Sequence, residues 1–130
     1  MTEQELCRKA MEMLDFSYVP YSHFPVGAAL EGADGTVYTG CNIENAAYGP
    51  TVCAERVAIF KAVSEGHRSF KRIAIYADSE NWCTPCGACR QVMAQYQTKS
   101  GKPMSVIMVG SSKILKFDRV DDILPLIFDS

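Results

Sequence analysis

Two cysteine motifs, far apart in the chain, constrain what this sequence can fold into: Cys53-Ala54-Glu55-Arg56 and Pro85-Cys86-Gly87-Ala88-Cys89. Cys86 and Cys89 stand at the predicted start of a helix, where residues i and i+3 share a face and two thiols can hold one ion. Cys53 opens a second predicted helix and supplies a third thiol. Glu55, two residues on, cannot comfortably join the same tetrahedron. If the three thiols meet, two helix starts must converge on one point of the fold. Three ligands leave one position open, which marks a catalytic rather than a structural zinc, because the position admits a water whose pKa falls from about 15.7 to about 7. The plainer reading is that the three cysteines are small buried hydrophobes.

The hydrophobic pattern shows how the convergence can arise. Leu6, Ala10, Met13 and Leu14 recur at helical spacing in a run that Pro20 ends. Val26 to Leu30 and Val37 to Cys41 form a predicted hairpin with its turn near Asp34 and Gly35. A helix follows from about Cys53 to Glu65, stopped by Gly66, then a buried strand from Ile73 to Ala77 and a helix from about Cys86 to Tyr96. Gly101 and Pro103 break the chain before a strand from Met104 to Val109, and Gly110-Ser111-Ser112 separates it from Ile114 to Phe117. A short helix near Val120 to Leu124 closes the series. This order predicts an α/β fold with one sheet covered by helices, as a single domain over 1–130.

Composition narrows the function. Hydrophobic residues make up 48% and charged residues 22% of the chain, ordinary globular usage. The net charge is −2 and the 13 Lys and Arg are scattered, which disfavours a polymeric nucleic-acid partner. The acidic start, Met1-Thr2-Glu3-Gln4-Glu5, lacks the basic flank and apolar run of a signal peptide. No apolar stretch approaches bilayer-spanning length, so a cytoplasmic protein with no membrane partner is expected. In a reducing compartment six cysteines read as metal-binding, catalytic or buried rather than as disulfides.

Charge at the metal makes a further demand. Three thiolates more than neutralise one Zn²⁺, and a bound hydroxide adds another negative charge, which blunts the metal's ability to acidify water. Two helix N-termini aim partial positive charge at the sulfurs. Arg56 is the nearest full cation in sequence, able to donate to a thiolate from behind the metal.

A thiolate-rich zinc with a nearby non-ligating Glu is the equipment of nucleobase deaminases. Along nearly its whole length the sequence resembles the small zinc-dependent cytidine deaminases acting on free nucleosides. The resemblance is carried by Cys53-Ala-Glu-Arg, by Pro85-Cys-Gly-Ala-Cys-Arg-Gln, by Pro20-Tyr21-Ser22, Phe24 and Val26-Gly27-Ala28-Ala29, and by Gly40-Cys41-Asn42-Ile43-Glu44-Asn45-Ala46. It implies a three-layer sandwich with a five-stranded mixed sheet between helices, and one Zn²⁺ per subunit. It also implies a homotetramer with subunit-shared active sites, and a place in pyrimidine salvage. The implied reaction converts cytidine and deoxycytidine to uridine and deoxyuridine with release of ammonia. Zinc-bound hydroxide would attack C4, and Glu55 would carry the water's proton first to N3 and then to the leaving amine. The resemblance assigns Asn42 and Glu44 to sugar hydroxyls, Phe24 to packing against the nucleoside, and Ala54 to substrate contact. An aromatic of a neighbouring subunit completes the base pocket, and Phe128 is the candidate. A carboxylate at the sugar end would repel a phosphate, so nucleosides should be preferred over nucleotides.

Other readings compete. Trp82-Cys83-Thr84-Pro85-Cys86 has the Trp-Cys-x-x-Cys pattern of a thioredoxin-type oxidoreductase, but it sits late in the chain and leaves Cys53, Glu55 and Cys89 unexplained. A thiol beside a zinc ligand invites oxidation, so a mild oxidant is expected to join Cys83 to Cys86 and eject zinc. A non-catalytic zinc module would need a fourth protein ligand, and none is evident. A deaminase for a cytosine-bearing antibiotic such as blasticidin S would use the same zinc and Glu, although Asn42 and Glu44 suit ribose. Apart from the resemblance, Asn42 and Glu44 read as a polar loop, and Phe24 and Phe128 as core or tail anchors. Cys7 and Cys41 read as core. His23 and His67 read as solvent-exposed, without partners at ligand spacing. Tyr48 either lines a neighbour's site or packs an interface.

Overall fold

Thr2 caps the first helix, its hydroxyl accepting from the Glu5 amide at 3.1 Å, with Glu3 and Glu5 placed where the helix dipole favours acids. This helix, α1 (Glu3–Glu12), is shorter than the apolar periodicity predicts, because Met13–Phe16 tightens into a 3₁₀ turn. The structure, a computed structural model, describes residues 1–128. After α1 come β1 (Val26–Gly32), β2 (Val37–Cys41), α2 (Ala54–Ser64), β3 (Phe70–Ala77), α3 (Gly87–Ser100), β4 (Ser105–Val109), β5 (Ile114–Phe117) and a 3₁₀ turn at Val120–Asp122. The last of these replaces the expected short helix to Leu124.

The five strands form one sheet in the order β2-β1-β3-β4-β5. β3 and β4 are parallel and the other pairs antiparallel, so the sheet is mixed, with α3 as the crossover that a parallel pair requires. Alternation along the strands sorts the core into two layers. Ala29, Ala74, Ile107 and Val109 face α1 and pack on Leu6 and Ala10. Ala28, Leu30, Ile73, Ile75, Val106 and Met108 face the other way, toward Ala58, Ile59 and Ala62 of α2 and Met93 and Ala94 of α3. Each large aliphatic side chain so enclosed contributes about 1.5–3 kcal/mol. The result is the expected three-layer sandwich, helix on either side of the sheet. No helix among the described residues is long and apolar enough to cross a membrane.

Two elements extend beyond the apolar periodicity that predicts them. α3 runs on to Ser100 because its stop is Gly101, in the left-handed conformation at φ 72°. β3 starts at Phe70 rather than Ile73, since Arg72 is held within the sheet by an ion pair with the buried Glu31 of β1. His67, expected to be solvent-exposed, is half-buried, 3.5 Å from Asp34 and with its ring 5.4 Å from that of Tyr38.

Gly40 of β2 brings the sheet close to the start of α2. A Cβ there would lie 2.3 Å from the Ala54 carbonyl oxygen and 2.7 Å from the Ala58 nitrogen, both backbone atoms that cannot swing aside. Gly40→Ala is expected to cost about 1–3 kcal/mol, read as a lowered midpoint of thermal unfolding. An unchanged midpoint would show that α2 is not seated as described.

Candidate active site

The two helix starts do converge. Cys53 is the N-cap of α2 and Cys86 the N-cap of α3, and Cys89 sits in the first turn of α3, its amide donating to the Cys86 sulfur at 3.4 Å. The Cys53 and Cys86 sulfurs are 3.6 Å apart, those of Cys86 and Cys89 3.4 Å, and all three lie within 4.8 Å of one another. A tetrahedral ion with Zn–S bonds of about 2.3 Å calls for sulfurs roughly 3.8 Å apart, so the set fits. Among the described residues no fourth His, Cys, Asp or Glu joins the group. A closed structural zinc module therefore has no support.

Arg56 is the cation set against these thiols. Its Nη2 donates to the Cys53 sulfur at 3.6 Å, while its Nε is buried without a partner, a donor held beside the thiols. Without metal, the adjoining Cys89 thiol and then Arg56 pull the Cys53 thiol down to about 5, and the contact with Cys53 together with burial pushes Cys89 up. Arg56→Gln is expected to lower turnover about 10–100-fold with a smaller loss of bound zinc, measured by steady-state assay and metal analysis of the same preparation. Equal loss of both, or of neither, would refute it.

Glu55 points away from solvent and is 3% exposed. Burial, aided by the nearby Cys53 charge, pushes its carboxyl up to about 7. A cavity of ≈ 170 Å³ opens in front of it, walled by Phe24, Asn42, Ala54 and Cys83 and bounded by Cys53 and Cys86. Sequence reasoning missed Cys83 and Thr84 as wall residues; their position just before Pro85-Cys86 was the available signal. Burial pushes the Cys83 thiol up to about 12. A thioredoxin-type reading needs a reactive thiolate at the first cysteine of its motif, and the burial of Cys83 works against one.

The other predicted site residues are distributed differently. The Asn42 amide is already engaged, its Oδ1 accepting from the Val26 amide and its Nδ2 donating to the Phe24 carbonyl, each at 2.9 Å. It holds Phe24 in the cavity wall and retains one N–H and one lone pair for a ligand. Glu44 accepts the Tyr21 and Ser22 amides at 3.0 and 3.1 Å, which explains the Pro20-Tyr21-Ser22 motif. Ser22 and these amides hold its carboxyl below the usual range. Glu44 lines a separate, larger cavity of ≈ 440 Å³ with Tyr48 and Thr51, not the one facing Glu55. Phe128 does not line the Glu55 cavity of its own chain; it is 72% exposed, and its carbonyl accepts from Gln91 at 3.1 Å. Tyr48 is 92% exposed. Cys41 is buried as expected, and Cys7 is half-buried against the α1 layer.

Soft donors that leave one coordination position open beside a buried carboxyl equip this fold as a zinc-dependent hydrolase. Residues 1–102 match the cytidine and deoxycytidylate deaminase zinc-binding region, and the chain belongs to that family. It is 57% identical over 96 residues to a cytidine deaminase of Sporosarcina psychrophila, covering 74% of this chain and 71% of that one. It is 56% identical over 95 residues to a cytidine deaminase of Halalkalibacterium halodurans, covering 73% and 72%. Among solved structures, a cytidine deaminase from Burkholderia pseudomallei superposes with a TM-score of 0.90 at 41% identity, covering 98% of this chain and 100% of that one. The metal is Zn²⁺, as the family and the thiol cluster together indicate.

Proposed function

We propose that this chain hydrolyses cytidine and deoxycytidine to uridine and deoxyuridine, releasing ammonia. The observation that carries the reading is the placement of the buried Glu55 carboxyl in the wall of the cavity that Cys53 and Cys86 bound. Zinc held by Cys53, Cys86 and Cys89 would supply a Lewis acid that makes water nucleophilic near neutral pH. Glu55 takes a proton from the attacking water and delivers it to N3 as the C4–O bond forms, then takes the proton of the new C4 hydroxyl and delivers it to the amine as the C4–N bond breaks, leaving the C4 carbonyl. One water enters and one ammonia leaves. Phe24 offers its ring to the nucleoside and Ala54 closes the wall. Asn42, in the wall of that cavity, keeps a free N–H and lone pair for a sugar hydroxyl, and Glu44, two residues on in the same segment, would take another with the carboxylate oxygen that the Tyr21 and Ser22 amides leave free. Arg56 offsets the thiolate charge during the chemistry.

The same reading places the enzyme in the cytoplasm, in pyrimidine salvage, and in a homotetramer. Exposed Phe16, Tyr21, Tyr48, Leu126 and Phe128 would be available to bury in such an assembly. In that assembly Phe128 or Tyr48 would reach a neighbour's pocket. An ultraviolet assay of purified protein on cytidine, deoxycytidine, cytidine monophosphate and blasticidin S tests the activity. Both nucleosides should turn over and the monophosphate should be the poorer substrate, because the Glu44 carboxylate repels it. No turnover of either nucleoside would sink the proposal, and turnover of blasticidin S alone would favour the antibiotic-directed reading.

A further inference from the structure

Among the described residues after β5 there is only one short 3₁₀ turn, yet the backbone there is gripped by side chains of α3. The Gln97 Oε1 accepts from the Val120 amide at 2.9 Å, the Arg90 Nη1 donates to the Ile123 carbonyl at 2.7 Å, and the Gln91 Nε2 donates to the Phe128 carbonyl at 3.1 Å. Val120 and Ile123 bury their side chains in the layer under α3. Arg90 differs from the other two in also reaching the metal loop: its Nε donates to the Pro85 carbonyl at 2.9 Å. That carbonyl belongs to the peptide unit leading into Cys86.

The three metal-facing thiols are not equally supported. Cys89 is fully buried and Cys53 half-buried, so packing holds them, whereas Cys86 is exposed. Beyond the Cys89 amide and the other two sulfurs, little encloses the Cys86 side chain, so its aim depends on its backbone, and a site is only as well organised as the groups that orient its ligands. The far side of the loop is tied down as well: the Ser111 amide donates to the Ser79 carbonyl at 2.7 Å, and the Lys113 ammonium sits 5.6 Å over the Trp82 ring. On the Cys86 side, the bond to Pro85 comes from Arg90.

We propose that Arg90 is a positioning residue of the zinc site, clamping the Pro85 carbonyl to the C-terminal strap so that the Cys86 sulfur stays aimed at the metal. The planar guanidinium meets two carbonyls with two N–H groups fixed relative to each other. A lysine ammonium, on a flexible stem, keeps the charge but not that fork. The inference rests on the zinc site and goes beyond the proposed reaction.

The test compares zinc-loaded parent, Arg90→Lys and Ile107→Val, the last shortening a buried side chain in the α1 layer, away from loop and strap. Zinc transfer to a chromogenic chelator is followed well below the unfolding midpoint of all three. Arg90→Lys should release zinc about tenfold faster than the parent, while Ile107→Val, though less stable, should release it at the parent's rate. In the assay with cytidine, kcat of Arg90→Lys should fall with KM little changed. Release from Arg90→Lys at the parent's rate, or equal acceleration in Ile107→Val, would overturn the proposal. Should Arg90→Lys fail to fold, Arg90→Gln carries the same comparison. Zinc release needs no substrate, so a parent that holds zinc but turns over no nucleoside would sink the proposed activity and leave the clamp still decided by the chelator.

Discussion

Glu55→Ala is expected to fold, to bind zinc, and to lose about 10³-fold or more in turnover of cytidine, within the range found when a general acid–base is removed. The carboxyl is almost fully enclosed and its burial opposes ionisation. Removing it therefore relieves a desolvation cost as well as a group, and the midpoint of thermal unfolding should not fall much. Glu55→Gln separates the contributions, since it keeps the shape and loses the ability to accept the water's proton. Activity within about tenfold of the parent in either variant, with zinc present, would remove Glu55 from the proton-transfer role.

Loss of a thiol should act on the metal first. Cys89→Ala deletes the fully buried member of the cluster, and the two remaining thiols cannot complete a three-ligand site. Zinc content should fall from about one per chain to near none, and turnover to background. Because zinc binds the folded chain and so stabilises it, the variant and a chelator-stripped parent should share a lowered unfolding midpoint. Returning zinc should restore the parent and not the variant. A Cys89→Ala protein that retained stoichiometric zinc would mean that the metal is held elsewhere.

Much of this is legible in the sequence. The ends of β2 and β5 coincide with the apolar runs that predict them, and the Cys53 and Cys86 motifs fall at helix starts as their spacing requires. These features are local, set by a few adjacent residues and the period of the element. Other features were not legible because they depend on partners far along the chain. Asn42 is occupied with the backbone of Phe24 and Val26, and Glu44 with the amides of Tyr21 and Ser22. Arg90 reaches the Ile123 carbonyl, far along the chain. His67, after α2, finds Asp34 in the β1–β2 turn and Tyr38 of β2. No window of sequence contains both ends of such contacts.

From the sequence alone came the inventory of chemistry, namely three thiols, a non-ligating carboxylate and a guanidinium, together with an element order able to bring two helix starts together. Only the tertiary structure decided what those groups are in place. Glu44 and Glu55 are the same side chain by composition, yet Glu44 meets hydrogen-bond donors near solvent and is held low. Glu55 is enclosed and pushed up to about 7. Cys83 and Cys86 likewise differ in burial rather than in identity. The energy of a charged group depends on the solvent it loses and the dipoles it gains, and packing of distant segments sets both.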